Sequence, residues 1–309
     1  MANREEGAGT MSAPSPVPQP SPAAGPTRRE LWLRGQRQRA AVIATVSTVV
    51  VVTGAVLGVT HASGWPRVRQ LFFNGKRFRA DIPDLLGYLW VDVKIFLICV
   101  PLILLWALVL ASWRNTRNPV LFPLRLFSAA YTDVFRGVPI ILTIYLVGFG
   151  IPALKLLEGN YDFLWFHGRW SSVYLWGPVA LILSYSAYVA EVLRAGIEGV
   201  HESQRAGARS LGLTQGQTMR HVVLPQAGRR VIPALMNDFL SLQKDVALIS
   251  ILGVIEVFRR AQTLKSSHTN FTPYVAAAAI FLLITIPETR LVDWYTSRHR
   301  RRTGGSVIG

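Results

Sequence analysis

Long uncharged apolar runs alternate along this chain with short polar or basic stretches. A hydrocarbon core needs roughly 20 helical residues. The runs predict membrane-spanning helices at about 40–60, 88–112, 137–157, 173–195, 231–256 and 273–293. Pro101, Pro139, Pro152, Pro178, Pro233 and Pro287 punctuate them, which membrane helices tolerate when neighbours satisfy the freed backbone groups. The polar stretch between the fourth and fifth spans, His201 to Pro225, reads as two short helices. The first begins near Ser203 and stops at Gly212, a residue that accepts the left-handed backbone of a helix end. Thr214 with Gln217 forms a capping-box pattern that starts the second, and Pro225 limits it. Ala206, Gly207, Ala208 and Ser210 leave one flank of the first helix almost without bulk, so another backbone can come close.

Composition agrees with a membrane protein. Half of the residues are apolar and 16% are charged, against roughly 25% in an ordinary soluble domain. The net charge of +16 would suit nucleic acid, but its placement points to membrane orientation. With a cytoplasmic N-terminus, the inside segments 1–40, 113–136, 194–232 and 288–309 hold 21 Lys/Arg, and the outside segments 61–87, 158–172 and 256–272 hold 9. The positive-inside rule therefore favours both termini in the cytoplasm, with the 201–225 stretch on the same side. Segment 61–87 fits least well.

The domain reading follows. Residues 1–39 are a disordered cytoplasmic tail, rich in Pro, Ala, Ser and Gly up to residue 27 and basic at its end (Arg28, Arg29, Arg34, Arg37, Arg39). Residues 40–60 exceed the usual signal-peptide core and read as an uncleaved anchor helix. Residues 61–87 mix aromatics with Arg67, Arg69, Lys76, Arg77 and Arg79, as in an interfacial segment; contact with an extracytoplasmic partner is the other reading. Residues 88–297 form the transmembrane domain. Arg298, Arg300, Arg301 and Arg302 make 298–309 a basic cytoplasmic tail, set by topology or by membrane lipids.

Charges inside the spans are few, and each is costly at mid-bilayer. Lys94 and Lys155 fall near span ends, where they can snorkel to headgroups. Glu191 and Arg194 are spaced to pair at i, i+3, as an ordinary salt bridge or as part of a gate. In the fifth span, Asn237, Asp238, Ser241, Lys244 and Asp245 share about a third of the helix circumference. Either Asp and Lys neutralise each other and glue helices together, or the stripe lines a water-accessible path for a polar solute.

Enzyme chemistry finds no footing. No phosphate-binding P-loop, HExxH or CxxC pattern occurs, the histidines are scattered, and the single Cys99 lies in an apolar run. No catalytic residue and no metal site are inferred.

Ala206-Gly207-Ala208, three residues, Gly212, nine residues, then Val222-x-Leu224-Pro225 resembles the cytoplasmic coupling loop of bacterial ABC importer permeases. FRGVPI at 135–140, SAYVAEVLRAGIEGV at 186–200 and FLSLQKDVALISILGV at 239–254 make the chain similar to the polar amino-acid branch, the glutamate, glutamine, histidine and arginine type. Ala206 stands where the family has glutamate. The resemblance implies an all-α polytopic bundle, a type I importer core of five helices plus one added at the N-terminus. It implies coupling through Ala206, Gly207, Ala208, Gly212, Leu224 and Pro225 to a separate ATP-binding subunit, which holds ATP and Mg. A second permease chain, identical or homologous, would share a path lined by Asn237, Asp238, Ser241, Lys244 and Asp245. An extracytoplasmic solute-binding protein would deliver a polar amino acid, with glutamate as the lean. An ion-coupled secondary transporter or an intramembrane enzyme would also explain a polar stripe, though not the loop spacing. A helix-turn-helix reading of the loop fails on its small-faced first helix and short tethers to two spans, so no nucleic-acid partner is inferred.

Overall fold

The computed structural model describes residues 28–116, 118–156, 159–163, 166–169 and 172–303; the tail reading for residues 1–27 lies outside them. The chain divides into two units, residues 1–65 and 66–309.

In the first unit, α1 (Arg28–Thr60) carries the expected anchor run and extends it back through the basic stretch. Thr45, Thr48 and Thr60 donate their hydroxyls to the carbonyls of Ala41, Ala44 and Val56 one turn earlier. This satisfies polar side chains on an apolar helix without a partner.

In the second unit, α2 (Trp65–Phe72, its first residue falling in the first unit) precedes α3 (Gly75–Asn115), which starts well before the expected residue 88. Asn74 caps α3 by accepting the amides of Lys76 and Arg77. At 41 residues α3 is about 60 Å long, twice a hydrocarbon core. The third span is a bent pair rather than one helix. α4 (Phe122–Gly137), preceded by a 3-10 turn, meets α5 (Ile140–Tyr145) and α6 (Ile151–Ala153) at 108°. Pro139 supplies the break, because Val138 before it is driven to extended backbone. A π turn, Leu146–Gly150, joins α5 to α6. A short antiparallel hairpin, β1 (Asn160–Phe163) and β2 (Phe166–Arg169), is the small exception to an all-α fold among the described residues.

Next come α7 (Val173–Glu198), α8 (Glu202–Ser210), α9 (Gln215–Thr218), α10 (Leu224–Asp245), α11 (Val257–His268) and α12 (Thr272–Thr303). Among the described residues four helices are long and apolar enough to span a membrane, lying in α1, α2–α3, α7 and α12, and five if the bent pair is one span. Six were expected. α10 falls outside that set because the polar stripe along it lowers its apolarity, although it packs against α7 and α12.

α7 is the hub, packed against α3, α4, α5 and α10. Gly177, Ala180, Ser184, Ala187, Ala190 and Gly196 are buried along it. Small residues of this kind let helices approach where apolar surroundings supply no hydrophobic drive. The approach is closest at Gly196, where an added Cβ would lie 2.1 Å from Val231 Cγ1 of α10. Gly196→Val is therefore expected to destabilise the bundle by about 1–3 kcal/mol through overpacking. Gly207→Ala, with nothing within 4 Å of an added Cβ, should leave the melting temperature unchanged. Thermal unfolding in detergent compares the two.

Candidate functional site: a capped loop, a polar helix and an ion cluster

The loop forms as its sequence indicates, with adjusted ends. His201 Nδ1 accepts the Ser203 amide at the start of α8, and Gly212 adopts φ +82° beyond its end, a conformation that favours glycine. Both halves of the capping box are present at α9: the Gln217 amide donates to Thr214 Oγ1, and the Thr214 amide donates to Gln217 Oε1. Ala206, Gly207 and Ser210 are exposed, whereas Ala208 is buried. The open flank is thus narrower than the sequence suggested, and it ends in Leu211, which is 83% exposed. Leu211 escaped notice because an isolated leucine in a short polar helix carries no periodic signal.

Pro225 does not terminate the second helix. A π turn, Met219–Val223, carries the helical path from α9 into α10, and Pro225 sits in the first turn of α10, where a missing N–H is tolerated. Leu224 and Pro225 are exposed at this junction. Below the loop Val223 packs with Val200 and Ala227. Arg205 Nη2 donates to Ile197 O (2.5 Å), Arg209 pairs with Glu202 (3.0 Å), and Gln226 donates to Gln204 (3.1 Å). The Arg205 and Gln204 contacts fasten α8 to α7 and α10 on either side of the loop, and the Arg209–Glu202 pair lies within α8 itself.

Further along α10 the polar stripe splits into two faces. Asn237, Ser241 and Lys244 are exposed, while Asp238 and Asp245 are half-buried. The Tyr185 hydroxyl of α7 donates to Asp245 Oδ2 at 2.8 Å, and Asp238 Oδ2 is buried with no hydrogen-bond partner. Lys244 points instead into a cleft of about 450 Å³ lined by Ala247, Phe258, Tyr274, Ala277, Ala278 and Phe281. Among the described residues it has no ion pair, so mutual neutralisation of Lys244 and Asp245 does not occur; neighbours in sequence point in different directions on a helix.

The C-terminal end of α7 carries more charge contacts than the sequence suggested. Glu191 takes Arg194 at 2.5 Å, as the i, i+3 spacing indicated, and also Arg114 of α3 at 3.5 Å and Arg136 of α4 at 3.8 Å. Arg194 bonds Glu198 as well, and Arg114 donates to Thr132 Oγ1 at 2.6 Å. One carboxylate thus ties three helices. Lys94 Nζ lies 5.8 Å from the centre of the Trp90 ring, a cation–π contact. At the opposite end Arg260 of α11 donates to Asp84 Oδ2 at 2.6 Å, and this carboxylate holds the guanidinium's pKa above its ordinary value.

The family model described as "Binding-protein-dependent transport system inner membrane component" matches residues 103–301. The chain belongs to this family. It is accordingly a multi-pass subunit of a transport system and not an enzyme. Similar proteins include the arginine transport system permease protein ArtQ of Bacillus subtilis (strain 168), 31% identical over 67% of this chain and 88% of that one. A probable amino-acid ABC transporter permease protein, PatM of Vibrio harveyi, is 33% identical over 69% and 90%. A solved amino acid ABC transporter, its crystal structure described as "with histidines", has 28% identity and a TM-score of 0.64, covering 73% of this chain and 98% of that chain.

Replacing Glu191 by Gln leaves three guanidinium groups facing one another at sites that are only partly exposed. The family member carrying Glu191→Gln is expected to lose roughly 1–3 kcal/mol of stability. Glu191→Asp should recover part of it, read as melting temperatures at low and high salt.

Proposed function

We propose that this chain is the membrane-spanning permease subunit of an ATP-driven ABC importer for polar amino acids. The observation that carries the reading is the uninterrupted helical path from the capped loop to the polar stripe, α9 through the π turn into α10. A separate ATPase would grip the exposed Ala206, Gly207 and Leu211 flank, with Gly212, Leu224 and Pro225 shaping the grip. Movement of α8–α9 then tilts α10 as a lever and changes access to Asn237, Asp238, Ser241, Lys244 and Asp245. A second permease chain completes the path, and an extracytoplasmic binding protein supplies the solute. Both termini lie in the cytoplasm, residues 88–297 carry the transport core, and residues 40–60 are an added span. The amino-acid relatives and the spacing of the loop support this over an ion-coupled secondary transporter.

The finer reading is glutamate, with Lys244 meeting a carboxylate. A second reading, a cationic amino acid, is favoured by the Asp238 and Asp245 carboxylates beside Tyr185 on the α7 side. A competition panel in proteoliposomes separates them. If Lys244 binds the solute, Lys244→Leu should weaken glutamate uptake at least tenfold, a change of about 1.4 kcal/mol or more, with normal assembly. If the carboxylates dominate, Asp245→Asn should weaken arginine uptake by a similar factor and leave glutamate unaffected. Unchanged transport in both variants would remove the stripe from the path.

The coupling itself is tested by purifying the tagged chain in mild detergent. A nucleotide-binding ATPase should accompany it, and Gly212→Asp, which puts a side chain and a negative charge on the left-handed turn beside the docking flank, should release it. Uptake driven by a sodium or proton gradient without ATP would favour the secondary transporter.

A further inference from the structure

Segment 61–80 holds five cationic residues, Arg67, Arg69, Lys76, Arg77 and Arg79, and no Asp or Glu. All five are exposed, and none has an ion-pair partner among the described residues. In the proposed topology they lie outside, where the positive-inside rule disfavours them. A charge cluster kept against that bias requires a use beyond orientation.

The segment is also held in shape. The Phe271 amide donates to Leu71 O at 2.8 Å, and Asn270 Nδ2 donates to Gln70 O at 3.0 Å. Thr272 Oγ1 donates to Leu71 O (3.3 Å) and accepts the Asn74 amide (3.2 Å). The Phe72 and Phe271 rings stack with centroids 4.9 Å apart and planes 10° from parallel. These ties strap the end of α2 and the start of α3 to the turn between α11 and α12, next to the cleft that holds Lys244.

The strap argues against a lipid role for α2. An amphipathic helix that lies on a membrane spends its apolar side on acyl chains. Here Phe72 stacks on Phe271 and the Leu71 carbonyl is held by the same turn, so part of the apolar side of α2 is spent within the protein, and the five cations face outward beside the exposed Val68 and Phe73. The whole segment precedes the family match, which begins at residue 103.

We propose that this cationic strap is a docking surface for an acidic face of the extracytoplasmic solute-binding protein. The inference rests on the importer reading and adds to it the place and the charge of the contact. A fixed patch of one sign steers a partner of opposite sign and sets its register more than it adds raw affinity. It therefore predicts salt-sensitive association near the mouth of the Lys244 cleft.

The test uses the full complex in nanodiscs and, as probe, the purified solute-binding protein of the proposed importer. The double variant Arg77→Glu/Arg79→Glu should weaken its binding roughly tenfold at low salt, with melting temperature and ATPase retention unchanged. The milder Arg67→Ala/Arg69→Ala should weaken it less. Raising the ionic strength should erase most of the difference, because exposed charges are screened within about 10 Å at 0.1 M. Wild-type affinity in both variants overturns the proposal, and so does a loss seen only as weaker retention of anionic phospholipid by the complex, which would make the strap a lipid contact. If the unaltered complex neither binds the probe nor responds to it with ATP hydrolysis, the importer reading falls first and this inference with it.

Discussion

The close approach of α7 to its neighbours is the constraint on which the rest of this fold depends. Helices in an apolar medium gain little from burying more apolar surface, so they associate through tight contact and satisfied polar groups. The small residues of α7 permit that contact, and at Gly196 the fit against Val231 leaves no room for one more carbon. With α7 this near α10, the Tyr185 hydroxyl can reach Asp245. Near the C-terminal end of the same helix, Glu191 can collect Arg194, Arg114 and Arg136. Seam and polar contacts are one device: the small side chains set the distance, and the long polar ones use it.

The functional elements form a mechanical series. α8 is braced to α7 by Arg205 and to α10 by the Gln204–Gln226 contact. From Thr214 onward the chain stays helical through the π turn and α10, then continues as a 3-10 segment, Val246–Leu252, before Gly253 turns it at φ +100°. The loop and the polar stripe thus share one continuous helical path, with the π turn and Pro233 as its two irregular points. The ion cluster at Glu191 lies beside that route and ties α7 to α3 and α4. In the proposed importer, the loop supplies motion, α10 changes access, and the cluster limits how far the inner ends separate.

Much of the site was legible before any coordinates. Gly212 and the Thr214–Gln217 pair are local signals, since a left-handed turn and a capping box are decided within a few residues. Periodicity also grouped the five polar positions of α10, because a helix repeats every 3.6 residues wherever it packs. What periodicity could not decide is which part of an arc faces which neighbour. Asn237 and Ser241 are exposed and Lys244 faces the cleft beside α12, while Asp245 meets Tyr185 of α7, a division made by where α7 and α12 pack against α10. The strap formed by α2 and the start of α3 was likewise visible only as a run of mixed aromatics and cations.

The sequence by itself determined the membrane class, the main apolar runs, the two helices of the loop, the polar face of α10 and the pairing of Glu191 with Arg194. Each of these is written in contacts between near neighbours or in the free energy of moving a side chain out of water, and neither needs the partner helices. Only the tertiary structure decided that Arg114 and Arg136 complete the Glu191 cluster, that the third span bends by 108° at Pro139, that Pro225 begins rather than ends a helix, and that Leu71 carries the strap to Phe271. Those outcomes depend on residues far apart in the chain meeting within a few ångströms, and such meetings are set by how the whole bundle closes around α7.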